Sequence, residues 1–248
     1  MTLTAIILTR NESAHIQECI ASVAFADSVL VFDSFSSDDT VERARHAGAQ
    51  VVQRAFDHYA NQRNAALENV RADWALFVDA DERITPELAA EIQQAVQQPH
   101  YAGWEIPRHN YIFGKLTLWA GWYPDYQLRL LRVGQARYDP LREVHEVVLL
   151  DGAKGTLKNP LLHYNYRDLP HFIDKQRRYS AYEASILYQA GVRPKLRNYV
   201  LQPLRQFKWR YLDLQGYRDG WHGLRLSTLM AWYEFKKYLR LRQLWQQT

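Results

Sequence analysis

Trp74-Ala75-Leu76-Phe77-Val78-Asp79-Ala80-Asp81-Glu82 is an apolar run that ends abruptly in three carboxylates. The run reads as a strand buried on both faces. Asp79 and Asp81 then fall where the strand gives way to a loop. Two carboxylates so spaced can grip a divalent cation, directly or through water, and the cation can grip a diphosphate. Magnesium or manganese takes such oxygen ligands and keeps positions for phosphate oxygens. An Asp-x-Asp triplet alone occurs by chance in many chains; its place at a strand end is what gives it weight.

Upstream, apolar runs alternate with helical patterns. Residues 3–8 read as a first strand, followed by a helix with Ile16, Ile20 and Val23 on one face. Residues 28–32 read as a second strand, leading into the Ser/Asp-rich turn Asp33 to Asp39. A helix with the capping box Asp39–Glu42 follows and closes at Gly48. Val51-Val52 opens a third strand, residues 61–70 a third helix and residues 74–78 the fourth strand. Thr85-Pro86-Glu87 starts a fourth helix, which stops before Pro99. This alternation predicts a parallel α/β sheet with right-handed crossovers. Ligands of such sheets bind outside the carboxyl ends of the strands. The polar clusters 9–12, 33–39 and 79–83 fall at those ends.

From about residue 101 the alternation fades into short β-like runs at 127–132, 144–149 and 160–166, then a helical stretch over 168–190. We read 1–100 as one half of a catalytic domain, 101–190 as the other, and 191–248 as a helical extension. The extension stands apart by charge. From Arg193 onward there are twelve Lys/Arg and three acids, whereas the rest of the chain holds 19 basic and 24 acidic residues. Its cations alternate with Tyr199, Phe207, Trp209, Tyr211, Tyr217, Trp221, Trp232, Tyr233, Phe235, Tyr238 and Trp245. Rings in the headgroup layer and cations on lipid phosphate make an anionic membrane surface the expected partner. A helical lid with a solvated basic face is the alternative. Nucleic acid is not expected as a partner, since no recognised module is present.

The 47% hydrophobic and 23% charged composition excludes disorder. The single cysteine, Cys19, excludes an internal disulfide framework and suits a small buried side chain on a helix. No run reaches the roughly 18 apolar residues of a membrane span, and residues 1–8 lack a signal peptide's basic region. The expectation is a cytoplasmic protein, soluble or peripheral on the inner face of the membrane. Neither Gly-x-x-x-x-Gly-Lys-Ser/Thr nor Gly-x-Gly-x-x-Gly occurs after a strand, so a bound nucleotide would rely on a metal. The same lack disfavours a nucleotidyltransferase.

Four motifs in order, Thr9-Arg10-Asn11-Glu12, Val31-Phe32-Asp33-Ser34-Phe35-Ser36-Ser37-Asp38-Asp39-Thr40, Gln62-Arg63-Asn64 and Phe77-Val78-Asp79-Ala80-Asp81-Glu82, resemble glycosyltransferase family 2. Phe35 and Ser37 stand where that family more often has glycine. The remainder resembles a narrower branch, small bacterial enzymes that glycosylate the inner core of lipopolysaccharide. Its likeness is carried by Tyr123-Pro124-Asp125-Tyr126-Gln127-Leu128-Arg129-Leu130-Leu131-Arg132, Val144-His145-Glu146, Leu162-His163-Tyr164-Asn165-Tyr166 and the stretch from Asp174 to Ser180. The resemblance implies an A-type nucleotide-diphospho-sugar fold, α/β with a mostly parallel central sheet. It implies an inverting transferase using a nucleotide sugar, UDP-linked, with magnesium or manganese as cofactor and a glycolipid acceptor. Thr9, Asn11 and Glu12 would line the nucleotide pocket, Asp33 would accept a hydrogen bond from the base, and Arg63 would lie near the diphosphate. Asp81 would ligate the metal with Asp79 supporting it at ribose or metal-bound water, and His163 is a further ligand candidate. For the base that deprotonates the acceptor, Glu146 matches the position best, with Asp125 next and Glu143 behind. Other acceptors on the same fold (a polyprenyl phosphate, a capsule sugar, a protein side chain) and a non-catalytic membrane-surface protein are the competing readings.

Overall fold

The computed structural model describes residues 1–141 and 147–247. The chain divides into two units, Met1–Arg108 with Asp125–His163, and His109–Pro124 with Tyr164–Thr248.

In the first unit the apolar runs become parallel strands because each has an apolar layer on both sides. They are β1 (Leu3–Thr9), β2 (Ser28–Asp33), β3 (Gln50–Gln53) and β4 (Trp74–Asp79), in the order β3-β2-β1-β4. Alternation along β1 and β4 sends Ile7, Leu76 and Val78 to one layer and Ile6, Ala75 and Phe77 to the other. The first layer is completed by Ile16, Cys19 and Ile20 of α1 (Ile16–Ser22) and by Leu88, Ile92 and Ala95, the second by Ala60 and Ala66. The register sets Thr9 beside Asp33 and Leu8 beside Asp79, so the three polar clusters share one edge of the sheet.

The helices between these strands are α2 (Thr40–His46), α3 (Tyr59–Glu68) and α4 (Pro86–Ala95). Thr85 caps α4 as expected, its hydroxyl accepting from the Leu88 N–H at 3.2 Å. The Asp39–Glu42 capping box does not form: Asp39 makes no side-chain cap bond. Asp38 acts instead, accepting from the N–H of Thr40 at 3.1 Å and of Ser13 at 3.2 Å. Desolvation, the largest single effect, pushes the Asp38 carboxyl up, but the Thr40 hydroxyl and these bonds to Thr40 and Ser13 together outweigh it and hold the group at about 2.

Beyond β4 the sheet changes direction. After β5 (Glu82–Arg83) come β6 (Tyr101–Ile112), β7 (Lys115–Thr117) and β8 (Tyr126–Arg132). β8 pairs antiparallel with both β4 and β6, setting Leu130 opposite Leu76 and Trp104. β9 (Ala136–Tyr138) and β10 (Val148–Leu150) form a separate antiparallel pair, and β11 (Ala153–Thr156) runs parallel to β6. β12 (Leu161–Tyr166) pairs with β5 through His163 opposite Glu82. A mixed α/β fold whose first four strands are parallel agrees with the sequence reading. Gly155 of β11 is set by close approach, because a Cβ there would overlap the Trp104 ring. Gly155→Ala is expected to cost about 1–3 kcal/mol, read as a lower urea midpoint at unchanged slope.

The second unit is mainly helical: α5 (Leu169–Gln189), α6 (Asn198–Lys208), a π turn (Trp209–Asp213), a 3-10 turn (Gly216–Asp219) and α7 (Trp221–Gln246). Asp168 caps α5, accepting from the His171 N–H at 2.8 Å. The unit's core joins Ile112, Tyr166, Phe172, Leu226 and Tyr233, with a second cluster of Ala184, Tyr238 and Leu241. Among the described residues no helix is long and apolar enough to cross a membrane.

Candidate active site

At the carboxyl edge of β4 the structure assembles a chain of alternating charges. Arg129 donates from Nη1 to Asp79 Oδ1 at 3.2 Å and from Nη2 to Asp79 Oδ2 and Glu82 Oε1, the latter at 3.0 Å. Arg63 reaches Asp79 Oδ1 at 3.2 Å. Arg108 continues the chain, 3.3 Å from Glu82 and 2.7 Å from Asp125. Glu82, with 0% exposure, also accepts the Asp79 N–H at 2.9 Å and so fixes the turn after the strand. Burial alone would raise the Asp79 carboxyl. The opposing pull of Arg129, then Arg63 and Arg108, wins and holds it well below the ordinary range. Arg129 is pushed the other way: desolvation disfavours its charge, but Asp79 and Glu82 outweigh that and raise it.

These arginines do not exhaust themselves on the carboxylates. Arg63, Arg129, Gln127, Leu128, Tyr138 and Val148 line a cavity of about 100 Å³. The Nε of Arg129 is buried there with no hydrogen-bond partner. Arg63 is not the exposed helix-surface pair its sequence position allows. Its guanidinium lies over Phe77 at 5.1 Å and Tyr138 at 5.5 Å, which fixes it in place. The result is a cationic recess beside the strand end, the electrostatic form an anionic group requires.

Asp81 lies on the loop after β4, with His163 Nε2 at 3.5 Å from its Oδ2. Among the described residues no group of three His, Cys, Asp or Glu side chains could hold a metal. Among the described residues, Asp81 and His163 are a carboxylate and an imidazole close enough together to contribute to a cation site. That donor set fits manganese, with the remaining positions left to ligand oxygens and water. Asp79, expected to support the metal, has both oxygens engaged by Arg129 and Arg63.

The upstream motifs meet at the neighbouring strand ends. Thr9 donates to Asp33 Oδ1 at 2.9 Å, and Asp33 further accepts from the Ser36 N–H at 2.9 Å and from Gln53 at 3.1 Å. Asp33 is fully buried, so a base would reach it only by displacing one of these donors. Asn11 Oδ1 accepts from the Ser37 N–H at 2.8 Å, and the Glu12 N–H donates to Thr40 at 2.8 Å. Phe35 adopts the left-handed conformation at φ 54°, which explains the family's glycine at that place. Its ring is exposed at this edge.

Of the base candidates, Glu146 and Glu143, with His145 between them, lie outside the described residues. Asp125 is described, and its oxygens are occupied by Arg108 and by Gln127 at 2.8 Å. Cys19 is buried on α1 and its thiol is pushed far up by desolvation, so it packs rather than reacts. Arg129, Glu82 and Arg108 were not singled out by sequence reasoning. The available signal was a lone arginine inside the apolar strand Gln127-Leu128-Arg129-Leu130-Leu131, a residue rarely buried unless paired.

Comparison with known proteins agrees with this architecture. The chain is 29% identical to the lipopolysaccharide core biosynthesis glycosyltransferase LpsC of Rhizobium meliloti (strain 1021), covering 98% of this chain and 93% of that one. It is 28% identical to the uncharacterized glycosyltransferase RP128 of Rickettsia prowazekii (strain Madrid E), covering 98% and 87%. Among solved structures, the mannosyltransferase PcManGT from Pyrobaculum calidifontis, in complex with GDP-Man and Mn2+, matches with TM-score 0.55 at 13% identity. That match covers 99% of this chain and 88% of that chain. S. aureus TarS 1-349 matches with TM-score 0.50 at 16% identity, covering 100% and 92%. The glycosyl transferase family 2 profile matches residues 4–141, taking in both the four parallel strands and the Asp79–Arg129 network. The chain is a glycosyltransferase and belongs to family 2.

Proposed function

We propose that the protein transfers a hexose from a UDP-sugar, with inversion, to a membrane glycolipid, the inner core of lipopolysaccharide. The observation that carries the donor half is the arginine-lined recess beside Asp79-Ala80-Asp81. The acceptor half is supported by near full-length similarity to a lipopolysaccharide core glycosyltransferase and by the basic aromatic extension.

In this reading Thr9, Asn11, Glu12 and Asp33 form the nucleotide side of the pocket. Arg63 and Arg129 face the diphosphate and stabilise the charge that builds on it as the glycosidic bond breaks. Asp81 and His163 would hold a divalent cation, which supplies Lewis-acid charge at the same diphosphate. Asp79, ionised and clamped, orients the two arginines. Glu146 accepts the proton of the attacking acceptor hydroxyl, and an in-line attack on the anomeric carbon gives a β-linkage. The position is inner-face peripheral, where both the sugar nucleotide and the lipid are in reach.

Thermal protection by a panel of UDP- and GDP-sugars, with and without manganese, tests the donor assignment. Protection by GDP-sugars alone overturns the UDP reading. Incubation of a radiolabelled donor with lipopolysaccharide truncated in its inner core tests the acceptor; label passing only to polyprenyl phosphate overturns it. Glu146→Gln is expected to lower transfer roughly 10²–10⁴-fold while donor protection is kept. Asp125→Asn is expected to retain more turnover and to lose stability through the freed Arg108. The reverse pattern exchanges their roles.

A further inference from the structure

The outer face of α6 carries a feature that transfer chemistry does not use. From Arg193 to Leu212 the chain has six Lys/Arg and no Asp or Glu. A solvated basic helix would turn those cations outward and its leucines inward. Here the leucines face out. Leu196 is 87% exposed, Val200 59%, Leu201 51% and Leu204 60%, and no residue of α6 is buried. Val200 and Leu204 stand at i and i+4 on α6 with Leu201 beside them, and Leu196 precedes them in the turn before the helix, so the exposed apolar side chains follow one another along the chain. The inward side is occupied, since α6 packs on α7 and the Tyr199 ring meets Phe235 at 6.2 Å. The leucine stripe is thus what remains after the helix has docked. Leu212 and Trp209, both about half exposed, extend it along the π turn.

Cations border this stripe. Arg193, Lys195 and Arg197 lie at its start, Arg205 and Lys208 along its length, all exposed. Beside it is a cavity of about 340 Å³ lined by Arg205, Lys208, Trp209, Gln202 and Gln206, with Asp213 and Glu234 at its wall. The two carboxylates are already neutralised by ion pairs, Asp213 with Lys208 at 2.7 Å and Glu234 with Lys237 at 2.7 Å. An exposed row on α7 repeats the composition with Trp221, Arg225, Trp232 and Lys236, the Lys236 ammonium 5.0 Å from the Trp232 ring.

Apolar side chains bordered by cations fit one class of partner. A second copy of the chain would cover the leucines but oppose the cationic borders to each other. Nucleic acid would meet the cations and leave the leucines in water. A bilayer with anionic headgroups satisfies both: the leucines enter the acyl boundary while lysine and arginine stems reach back to phosphate. We propose that the outer face of α6 and the turn before it, with the adjoining cavity, dock on an anionic phospholipid bilayer, Leu196, Val200, Leu201 and Leu204 inserting and Arg197 and Arg205 taking lipid phosphates. The inference rests on the membrane-acceptor reading for its purpose, but its test involves no acceptor.

The full chain is sedimented with vesicles of phosphatidylcholine alone and of phosphatidylglycerol with phosphatidylethanolamine. Binding only to the second, weakening with salt, is expected. Leu196→Ser with Val200→Ser and Leu204→Ser is expected to lower partitioning on the order of a hundredfold at low and high salt alike. Arg197→Glu with Arg205→Glu is expected to lower it at least tenfold at low salt, and less at high salt. All five positions are surface ones, so the melting temperature and metal-dependent UDP-sugar hydrolysis stay at wild-type values. No sedimentation of the wild type at low salt overturns the proposal. So does unchanged binding of the serine variant, or a dimer in light scattering that the same serines dissolve. Vesicle binding without transfer to any membrane-borne acceptor leaves the docking face standing and removes the acceptor assignment.

Discussion

Arg129→Met should lower the melting temperature by roughly 10 °C and abolish protection by a nucleotide sugar. Arg129 is 5% exposed and donates to both Asp79 and Glu82. Methionine fills similar space but leaves Glu82, itself fully buried, with the Asp79 N–H and with Arg108 at 3.3 Å as its one remaining cation among the described residues. Breaking a buried pair by removing one partner costs about 3–5 kcal/mol. Because Arg63 still serves Asp79 and Arg108 still serves Glu82, the lower end applies. About 3 kcal/mol in a chain of this size corresponds to the quoted shift, at roughly 2–4 °C per kcal/mol. The pH response separates charge from packing. The folded Asp79 carboxyl is depressed, so its ion pairs contribute fully above the ordinary carboxylate value, near pH 4, and that contribution is lost as pH falls further. The variant lacks much of this term and should show a flatter loss of stability on acidification. Adding Glu82→Gln should restore part of the stability, since the buried charge is gone, but none of the donor binding. A drop of only a few degrees, with donor protection intact, would show that the network is neither structural nor part of the site.

The reason such a residue escaped the sequence lies in distance along the chain. The four parallel strands are legible because each carries its own evidence, an apolar run with polar residues at its carboxyl end. Asp79 and Asp81 are legible for the same reason. Arg129 meets partners 50 and 47 positions away. It does so because β8 enters the sheet antiparallel beside β4, with Leu130 opposite Leu76. Nothing local in Gln127-Leu128-Arg129-Leu130 fixes that pairing. The surroundings of Asp79 follow from the same event: a residue read as supporting a cation at ribose or metal-bound water also accepts from two guanidinium groups brought from α3 and β8. The misjudged cap of α2 is a smaller case. Asp38, Asp39 and Thr40 all have capping chemistry, and the choice fell to Asp38 because Ser13, on the loop after β1, also binds it. Phe35 shows the opposite: the missing glycine was visible in the sequence, and the backbone takes the left-handed conformation regardless. In the extension the cations and rings stood out by composition, yet the outward leucine stripe depends on which side of α6 packs on α7. Amphipathic spacing marks two faces; packing decides which one meets solvent.

Asp81→Asn should reduce turnover on the order of 10³-fold and remove the manganese dependence of nucleotide protection, while stability stays within about 0.5 kcal/mol of wild type. The contrast with Asp79, two residues away, is what makes the substitution informative. Asp79 is bound by two arginines and belongs to the buried network, so its amide would disturb folding as well as function. Asp81 is about a quarter exposed, and its Oδ2 lies 3.5 Å from His163 Nε2. Asparagine keeps its size and one carbonyl acceptor but removes the charge that draws a cation. His163→Ala removes the second donor and should weaken metal-dependent protection roughly 10–100-fold, a smaller effect because ligand oxygens and water complete the sphere. Titrating manganese into each variant with UDP present, and reading the melting temperature, measures both losses on one scale. If Asp81→Asn keeps manganese-dependent turnover within tenfold of wild type, the cation is held elsewhere. Asp79 and Glu82 would then serve to position Arg63 and Arg129 with no cation beside them.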